Sequence, residues 1–425
     1  MTPFEDRYKK DVKPIREIYG EENYLKLVFE VEKMFLIRYL CEFYPEINDK
    51  FDFGKIVYDY ENIKNIEKKT KHDIVAVIKH IEQQIIVSHG CDGISKDIII
   101  SKIHYGLTSQ DLVSFCNSIL CKEAYLKITE LTTEFKKMLF QMEDFELIGL
   151  THGQKALPIR FSSVTASLIQ RIVRHNKIIE PRSRFGGGTI GNNYSQEILF
   201  NLEKIEKIEK VCKRVSSIYG IRQITFHQQT DYYPSIVETM EAISSLSIVF
   251  EEFSKDMWSY ISMNYFIQKN NVGECGSSTM SQKTNPINFE NAEGNFYLSK
   301  QFSKTISEKL STSRFERDLS DITVIRNISL VFCYYVKGIK SLIKGMELVK
   351  PNKEMLTKEI NNSYEMLAES VNLFLRDNNV ADAYDISKNM FKERKDLTKN
   401  EYNKIIRESN LSEEIIKRLL KLTLN

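Results

Sequence analysis

Residues Asn271 to Asn295 read NVGECGSSTMSQKTNPINFENAEGN, and this stretch parts two runs of helical periodicity. Upstream, Leu246, Val249, Phe253, Met257 and Ile261 recur at helical spacing, and the pattern dies near Gln268 among Asn, Gly, Ser and Thr. Order resumes at Asn285-Pro286, because Asn is a good N-cap and Pro is pre-set for the first helical position. Glu290 and Glu293 then fall near the positive end of the helix dipole. The loop between is roughly fifteen residues long, and aperiodic loops beyond about 12 to 15 residues are usually functional or disordered. This one carries Ser277, Ser278, Lys283 and Asn285.

The helical texture extends outward in both directions. From Arg16 to Tyr44 the apolar residues Tyr19, Tyr24, Leu27, Val31, Met34 and Ile37 follow a helical period with charges between them. The same pattern returns over 63–87, 111–142, 162–179, 199–219, 235–268, 286–310, 321–349 and 353–376, while strand-like alternation is scarce. Only 8 prolines and 17 glycines interrupt the chain. Runs of about 25 to 35 residues exceed the ~11-residue mean of globular helices and belong to bundles. The expectation is an all-α protein of three helical domains: 1–100, an elongated central bundle over 101–349 carrying the loops of interest, and 350–425.

Composition excludes several classes. Sixty Lys and Arg against 58 Asp and Glu leave a net charge of +2, without the basic excess of a dedicated nucleic-acid binder. Seven scattered cysteines include no CxxC pair and read as reduced thiols of a cytoplasm. MTPFEDRYKKDVK has no apolar signal region, and no stretch approaches 18 uninterrupted apolar residues. A cytoplasmic protein with no membrane and no nucleic-acid partner is expected.

RFGGGTIG at 184–191 contains a formal GxGxxG, but a dinucleotide site needs a preceding strand, and the residues before it look helical and basic. A turn is the better reading. His80, His89, His175 and His227 lack distinctive neighbours, and no HxxxH or HxxEH pair points to a metal. His152 differs, sitting in the Gly-bounded turn GLTHGQ just ahead of a helix near Phe161. His104, Thr108 and Ser109 lie in HYGLTSQD, also just before a long helix. Backbone N–H groups at such helix starts bind anions, and Thr and Ser hydroxyls extend the donor set. The alternative is that Thr108, Ser109 and Asp111 are only a helix cap.

HYGLTSQD, GLTHGQ and GSSTMSQKTNP, in this order, resemble the three signature regions of the fumarase/aspartase superfamily of homotetrameric, all-α lyases. PFEDRY at 3–8, KHDIVA at 71–76, DMWSYI at 256–261 and SRFERDLSD with IRN at 313–327 make the chain most similar to the bacterial-type adenylosuccinate lyase branch. The likeness runs from Pro3 to beyond Met390. It implies β-elimination of fumarate from adenylosuccinate and from the succinyl-carboxamide ribotide of purine synthesis, without cofactor or metal. Such a reaction needs a base for a weakly acidic Cβ proton, an acid for the departing nitrogen and fixed donors aimed at the developing dianion.

By resemblance the base is Ser277, whose alkoxide requires a water-excluded, donor-rich surrounding that exists when its loop closes. Lys283 and Asn285 hold the carboxylate that gathers charge, and His152 is the general acid, oriented by Glu290. Glu290 is alternatively a favourable charge in a first helical turn. Thr108 and Ser109 bind a succinyl carboxylate, Gln229 matches the family's substrate-binding glutamine, and Thr151, Ser278 and Met280 complete the substrate-binding set. Arg7, Tyr8, His72, Asp73, Arg317 and Arg326 match the family's phosphate and nucleotide contacts, and arginine suits phosphate because its planar fork donates two parallel bonds. In the superfamily the three signatures meet from three subunits, which implies a homotetramer with shared sites.

Three departures stand out. Ile322 takes the place of a phosphate-binding Ser, Ser281-Gln282 replaces the usual Pro-His or Pro-Tyr before Lys283, and Ser195-Gln196 replaces an Ala-His pair. Two other readings remain at this level: a lyase for argininosuccinate or aspartate, against which the arginines argue, and a helical scaffold without catalysis, against which the retained chemical set argues.

Overall fold

The structure is a computed structural model describing residues 2–88, 92–192, 194–269, 280 and 283–424. Ser277 and Ser278, with Ser281 and Gln282, lie outside the described residues. The fold is mostly helical, as the periodicity predicts. Two compact units divide it. One holds Met1–Thr133, Val173–Glu251 and Ala292–Lys340, and the other Glu134–Ile172, Glu252–Asn291 and Ser341–Asn425.

In chain order, α1 (Lys13–Tyr19) and α2 (Glu21–Phe43) are parted by Gly20, which is extended at φ −60°, ψ 141°. The sequence pattern reads through this break because the apolar period continues across it. After α3 (Pro45–Lys50), α4 (Tyr60–Thr70) starts at Asp59, whose carboxylate accepts the Asn62 N–H, and stops at Lys71 in a left-handed conformation. The single helix expected over 63–87 is therefore two, the second being α5 (Asp73–Val87). Helix α6 (Gly93–Ser101) leads to α7 (Ser109–Gln141), close to the expected 111–142. Strands β1 (Glu146–Thr151) and β2 (Gln154–Arg160) form an antiparallel hairpin running into α8 (Phe161–His175).

Strand β3 (Arg182–Ser183) pairs in parallel with β4 (Arg222–Gln223), and α9 (Tyr194–Leu199) and α10 (Leu202–Ile218) lie between them in sequence. Helix α11 (Pro234–Ser262) ends earlier than its apolar pattern, since Phe266–Gln268 forms β5 instead. Next come α12 (Ile287–Leu310), α13 (Ser320–Ile325) and α14 (Ile328–Glu347). Strand β6 (Val349–Pro351) pairs antiparallel with β5. The remainder is α15 (Lys353–Asn361), α16 (Ala368–Asp377), α17 (Ala383–Phe391), α18 (Lys399–Arg407), which begins at a Thr398/Glu401 capping box, and α19 (Glu413–Leu419).

The first unit has a continuous apolar core in which Phe29, Phe35 and Tyr39 of α2 meet Ile81 of α5, Phe115 of α7 and Val211 of α10. A second aromatic group stacks Phe250 on Phe296 with centroids 5.1 Å apart, and Tyr335 closes on both edge-on. The Tyr335 hydroxyl shares a hydrogen bond with Thr132 at 2.8 Å, so its polar end is also satisfied. Gly338 lets α14 approach closely, because a Cβ there would lie 3.1 Å from the Phe296 ring. By composition Ser320–Glu347 could cross a membrane, and 50% of that apolar window is buried within the protein.

In the second unit Phe145, Phe161 and Phe266 form a ring cluster at 5.0 to 5.6 Å that fixes the hairpin and the start of α8 against β5. Asp144 completes the junction by accepting the Ser162 N–H at 3.0 Å and pairing with Arg160 at 2.6 Å. Hydrogen bonds from Ser162 and Arg160 hold its carboxyl below the usual range.

Candidate active site

Helix α7 opens on a carboxylate saturated with donors. One oxygen of Asp111 accepts the backbone N–H and the hydroxyl of Thr108, at 2.7 and 3.2 Å. The other accepts Gly186 N–H at 2.8 Å, Gly187 N–H at 3.1 Å and the Arg184 guanidinium at 2.7 Å. Asp111 and Arg184 are both completely buried, where an unpaired charge would be costly. Thr108 spends both its backbone N–H and its hydroxyl proton on Asp111 in this arrangement. Ser109 and the first N–H groups of α7 are then the donors suited to an anion.

The glycines of RFGGGTIG have a packing reason. A Cβ on Gly187 would meet the His227 ring at 2.0 Å, and one on Gly191 the His227 carbonyl at 2.2 Å. Gly191 also has φ +84°, which a side chain rarely tolerates. The turn reading holds, with the loop pressed against His227-Gln228, but the residues directly before it are not helical: α8 ends at His175 and Arg182-Ser183 form β3.

Gln229 sits beyond that contact. Its amide donates to Thr189 O at 2.6 Å and its side-chain oxygen accepts Arg317 Nη1 at 3.2 Å, which joins two of the expected binding residues. Asp321, nearly buried, lies 3.8 Å from Arg317 Nε and accepts the Tyr233 hydroxyl at 2.6 Å. Ile322 sits partly buried in the first turn of α13. Of the nearby hydroxyls, Ser320 donates to Asp318, while Thr323 is exposed.

His72 and Asp73 stand at the start of α5, with His72 Nδ1 3.3 Å from the Asp73 carboxylate. Asp73 and Arg326 both act on the Tyr24 hydroxyl: burial pushes this phenol well up, Cys116 and Asp73 add to the effect, and Arg326 opposes it. Two expected nucleotide contacts, Asp73 and Arg326, thus lie within electrostatic reach of one tyrosine. Arg7 and Tyr8 occupy the N-terminal segment packed on α14, where Lys337 lies over the Tyr8 ring at 4.5 Å and pairs with Asp11 at 2.8 Å.

Upstream of Thr108, His104 adopts a left-handed φ of 55° and is gripped by buried Glu32, which accepts its backbone N–H at 2.7 Å and faces its Nδ1 at 2.9 Å. Burial alone would lower the imidazole pKa, but the hydrogen bond and charge of Glu32 outweigh it, and the net shift is upward. A raised histidine contributes stability that is full below its ordinary value near 6.5 and lost as pH rises through the raised one. The melting temperature is therefore expected to fall as pH rises above the ordinary histidine value, and Glu32→Gln should flatten that dependence. An unchanged pH profile in the variant would contradict the assignment.

In the second unit His152 occupies the tip of the β1–β2 hairpin. Thr151 pairs with Gln154, so His152 (φ 52°) and Gly153 (φ 70°) are a two-residue turn with both φ positive, the type I′ geometry that matches strand twist. Both His152 and the neighbouring Thr151 are exposed. Lys155 anchors the hairpin through Glu359 at 3.2 Å, Asp396 at 3.1 Å and Ser363 at 3.0 Å.

Glu290 lies in the first turn of α12 and accepts the Trp258 indole N–H at 3.2 Å. Among the described residues no hydrogen bond joins it to His152 within one chain. Lys283 is exposed, and its N–H donates to Met280 O at 3.2 Å. Thr284 O is held by Gln268 of β5 at 3.0 Å, and Asn285 O accepts the Ile287 N–H at 2.9 Å, so the chain enters α12 in a defined path.

A family model described as Lyase matches residues 7–297, and another described as Adenylosuccinate lyase C-terminal matches residues 313–425. The adenylosuccinate lyase of Buchnera aphidicola subsp. Acyrthosiphon pisum is 30% identical over 442 residues, spanning 100% of this chain and 95% of that protein. The chain belongs to the adenylosuccinate lyase family. Adenylosuccinate lyases of Escherichia coli K12 (29% identical, 88% of this chain and 85% of the relative) and Dictyostelium discoideum (28%, with 97% and 90%) are similar along most of their length. In fold, the chain is similar to a fumarate lyase from Mesorhizobium sp. BNC1, with a TM-score of 0.73, 13% identity and coverage of 96% and 93%.

A second departure from the family pattern, after Ile322, can be located. Gln196 is buried, its amide nitrogen would lie 3.1 Å from a Cβ on Gly106 of the first signature, and its side-chain oxygen has no partner among the described residues. What sequence reasoning misses for this family member is the polar set behind the signatures, namely Glu32, Arg184, Asp231, Tyr233 and Asp321. Distance in sequence helps to hide them, since Asp111 and Arg184 are 73 positions apart.

Proposed function

We propose that this protein catalyses β-elimination of fumarate from adenylosuccinate to give AMP, and from the succinyl-carboxamide ribotide SAICAR to give AICAR, as a cytoplasmic homotetramer. The full-length match to the adenylosuccinate lyase family carries the reading, in a chain that retains His152, Ser277, Lys283, Asn285 and Glu290.

The Ser277 alkoxide removes the Cβ proton, and the electron pair moves into the adjacent carboxylate, where the Lys283 ammonium and the Asn285 amide meet the second negative charge. The pair returns to form the Cα–Cβ double bond as the Cα–N bond breaks, and His152 protonates the departing nitrogen. Ser109, with the start of α7 that Thr108 ties to Asp111, holds a succinyl carboxylate, and Thr151, Ser278 and Met280 complete the substrate contacts. Gln229 binds the substrate, and Arg317, in hydrogen-bond contact with it, belongs to the phosphate contacts. Arg326, His72, Asp73, Arg7 and Tyr8 take the nucleotide and its phosphate. Glu290 orients His152 from another subunit, for which its exposed position in the first turn of α12 is suited.

Incubation of the pure protein with adenylosuccinate, followed by the loss of its absorbance and the appearance of fumarate, tests the proposal. A folded protein that leaves adenylosuccinate unchanged overturns it.

A further inference from the structure

Resting on the function proposed above, we infer that Arg184 is a positioning residue for substrate recognition, acting through Gln229. Arg184 has no exposed surface, so it acts through the groups packed on it. Its Nη1 donates to the carbonyls of Gln228, at 3.3 Å, and Gln229. Nη2 donates to Gly188 O at 3.0 Å, and Nε and Nη2 meet the Asp111 carboxylate at 3.0 and 2.7 Å.

One planar cation therefore ties the start of α7, the glycine loop and the Gln229 backbone into a single frame. The backbone of Arg184 is held in turn, its N–H donating to Asp231 at 2.9 Å, and Asp231 also accepts the Tyr233 N–H at 3.0 Å. What emerges from the frame is the Gln229 side chain, aimed between Thr189 O and Arg317. A lysine would preserve the charge opposite Asp111, but a compact ammonium with three donors has no fork to reach both the carboxylate and the Gln229 carbonyl.

The test compares Arg184→Lys, Gln229→Ala and the double variant by steady-state kinetics with adenylosuccinate. Lost uniform binding raises KM and leaves kcat in place, so Arg184→Lys is expected to raise KM about tenfold with kcat within about threefold of wild type. Because the effect passes through Gln229, adding Arg184→Lys to Gln229→Ala should raise KM less than about twofold further, whereas a merely structural role gives independent, multiplying losses. Should Arg184→Lys fail to fold, Asp111→Asn, which keeps the shape and weakens the anchor of Arg184, takes its place. Wild-type turnover with an unchanged KM in the variant, or multiplying losses, overturns this inference alone. Failure of both variants to fold assigns the pair to stability and overturns it too, while absence of wild-type turnover overturns the function and this inference together.

Discussion

Replacing His152 by alanine is expected to slow turnover of adenylosuccinate by about 10²- to 10⁴-fold, the usual contribution of a positioned general acid. The fold should survive, because the side chain is exposed at a hairpin tip and alanine removes only atoms beyond Cβ. The left-handed conformation at this position adds a modest strain that Gly153 and the Lys155 ion pairs resist. Ser277→Ala is expected to be inactive as well. If a site draws its signatures from different subunits, mixing the two inactive proteins and letting subunits exchange should restore a measurable fraction of wild-type activity. Full activity in His152→Ala would remove the histidine from the mechanism, and mixed variants that stay inactive after demonstrated exchange would remove the shared site.

Asp111→Ala is expected to be among the most destabilising substitutions in the chain, at about 3 to 5 kcal/mol, because it strands a buried guanidinium. It also strips the Gly186 and Gly187 N–H groups and the Thr108 hydroxyl of their acceptor. Replacing both partners, as Asp111→Leu with Arg184→Met, should lose less, since no uncompensated charge remains. Thermal and urea melts of the three proteins decide this. A melting curve for Asp111→Ala that overlays wild type would show the pair to be dispensable.

How far the sequence anticipates such features depends on the kind of signal each leaves. Helix α7 is legible to within two residues at its start because its apolar period is unbroken and Thr108, Ser109 and Asp111 mark the beginning. The breaks at Gly20 and Lys71 are not, because periodicity continues on both sides and only a backbone angle changes. The hairpin is half legible. GLTHGQ announces a turn, but the alternation in its strands is blurred by a register shift between Ile148 and Leu150 and by Pro158. In the site, motif residues such as His152, Glu290 and Gln229 are named by local pattern. Glu32, a lone charge in an amphipathic run, and Arg184, a charge heading a glycine turn, both look like solvent-facing surface until the buried partner of each is known.

The hairpin that carries His152 also sets the grain with which this imidazole can be aimed. On a helix, a side chain can be nudged by small tilts and rotations; on a paired strand, it moves only in whole-residue steps of about 3.3 Å, each turning it to the opposite face. The shift at Ile148–Leu150 is one such step already taken. A one-residue insertion or deletion near Gly149 would therefore displace the turn, and His152 with it, by a whole step rather than gradually.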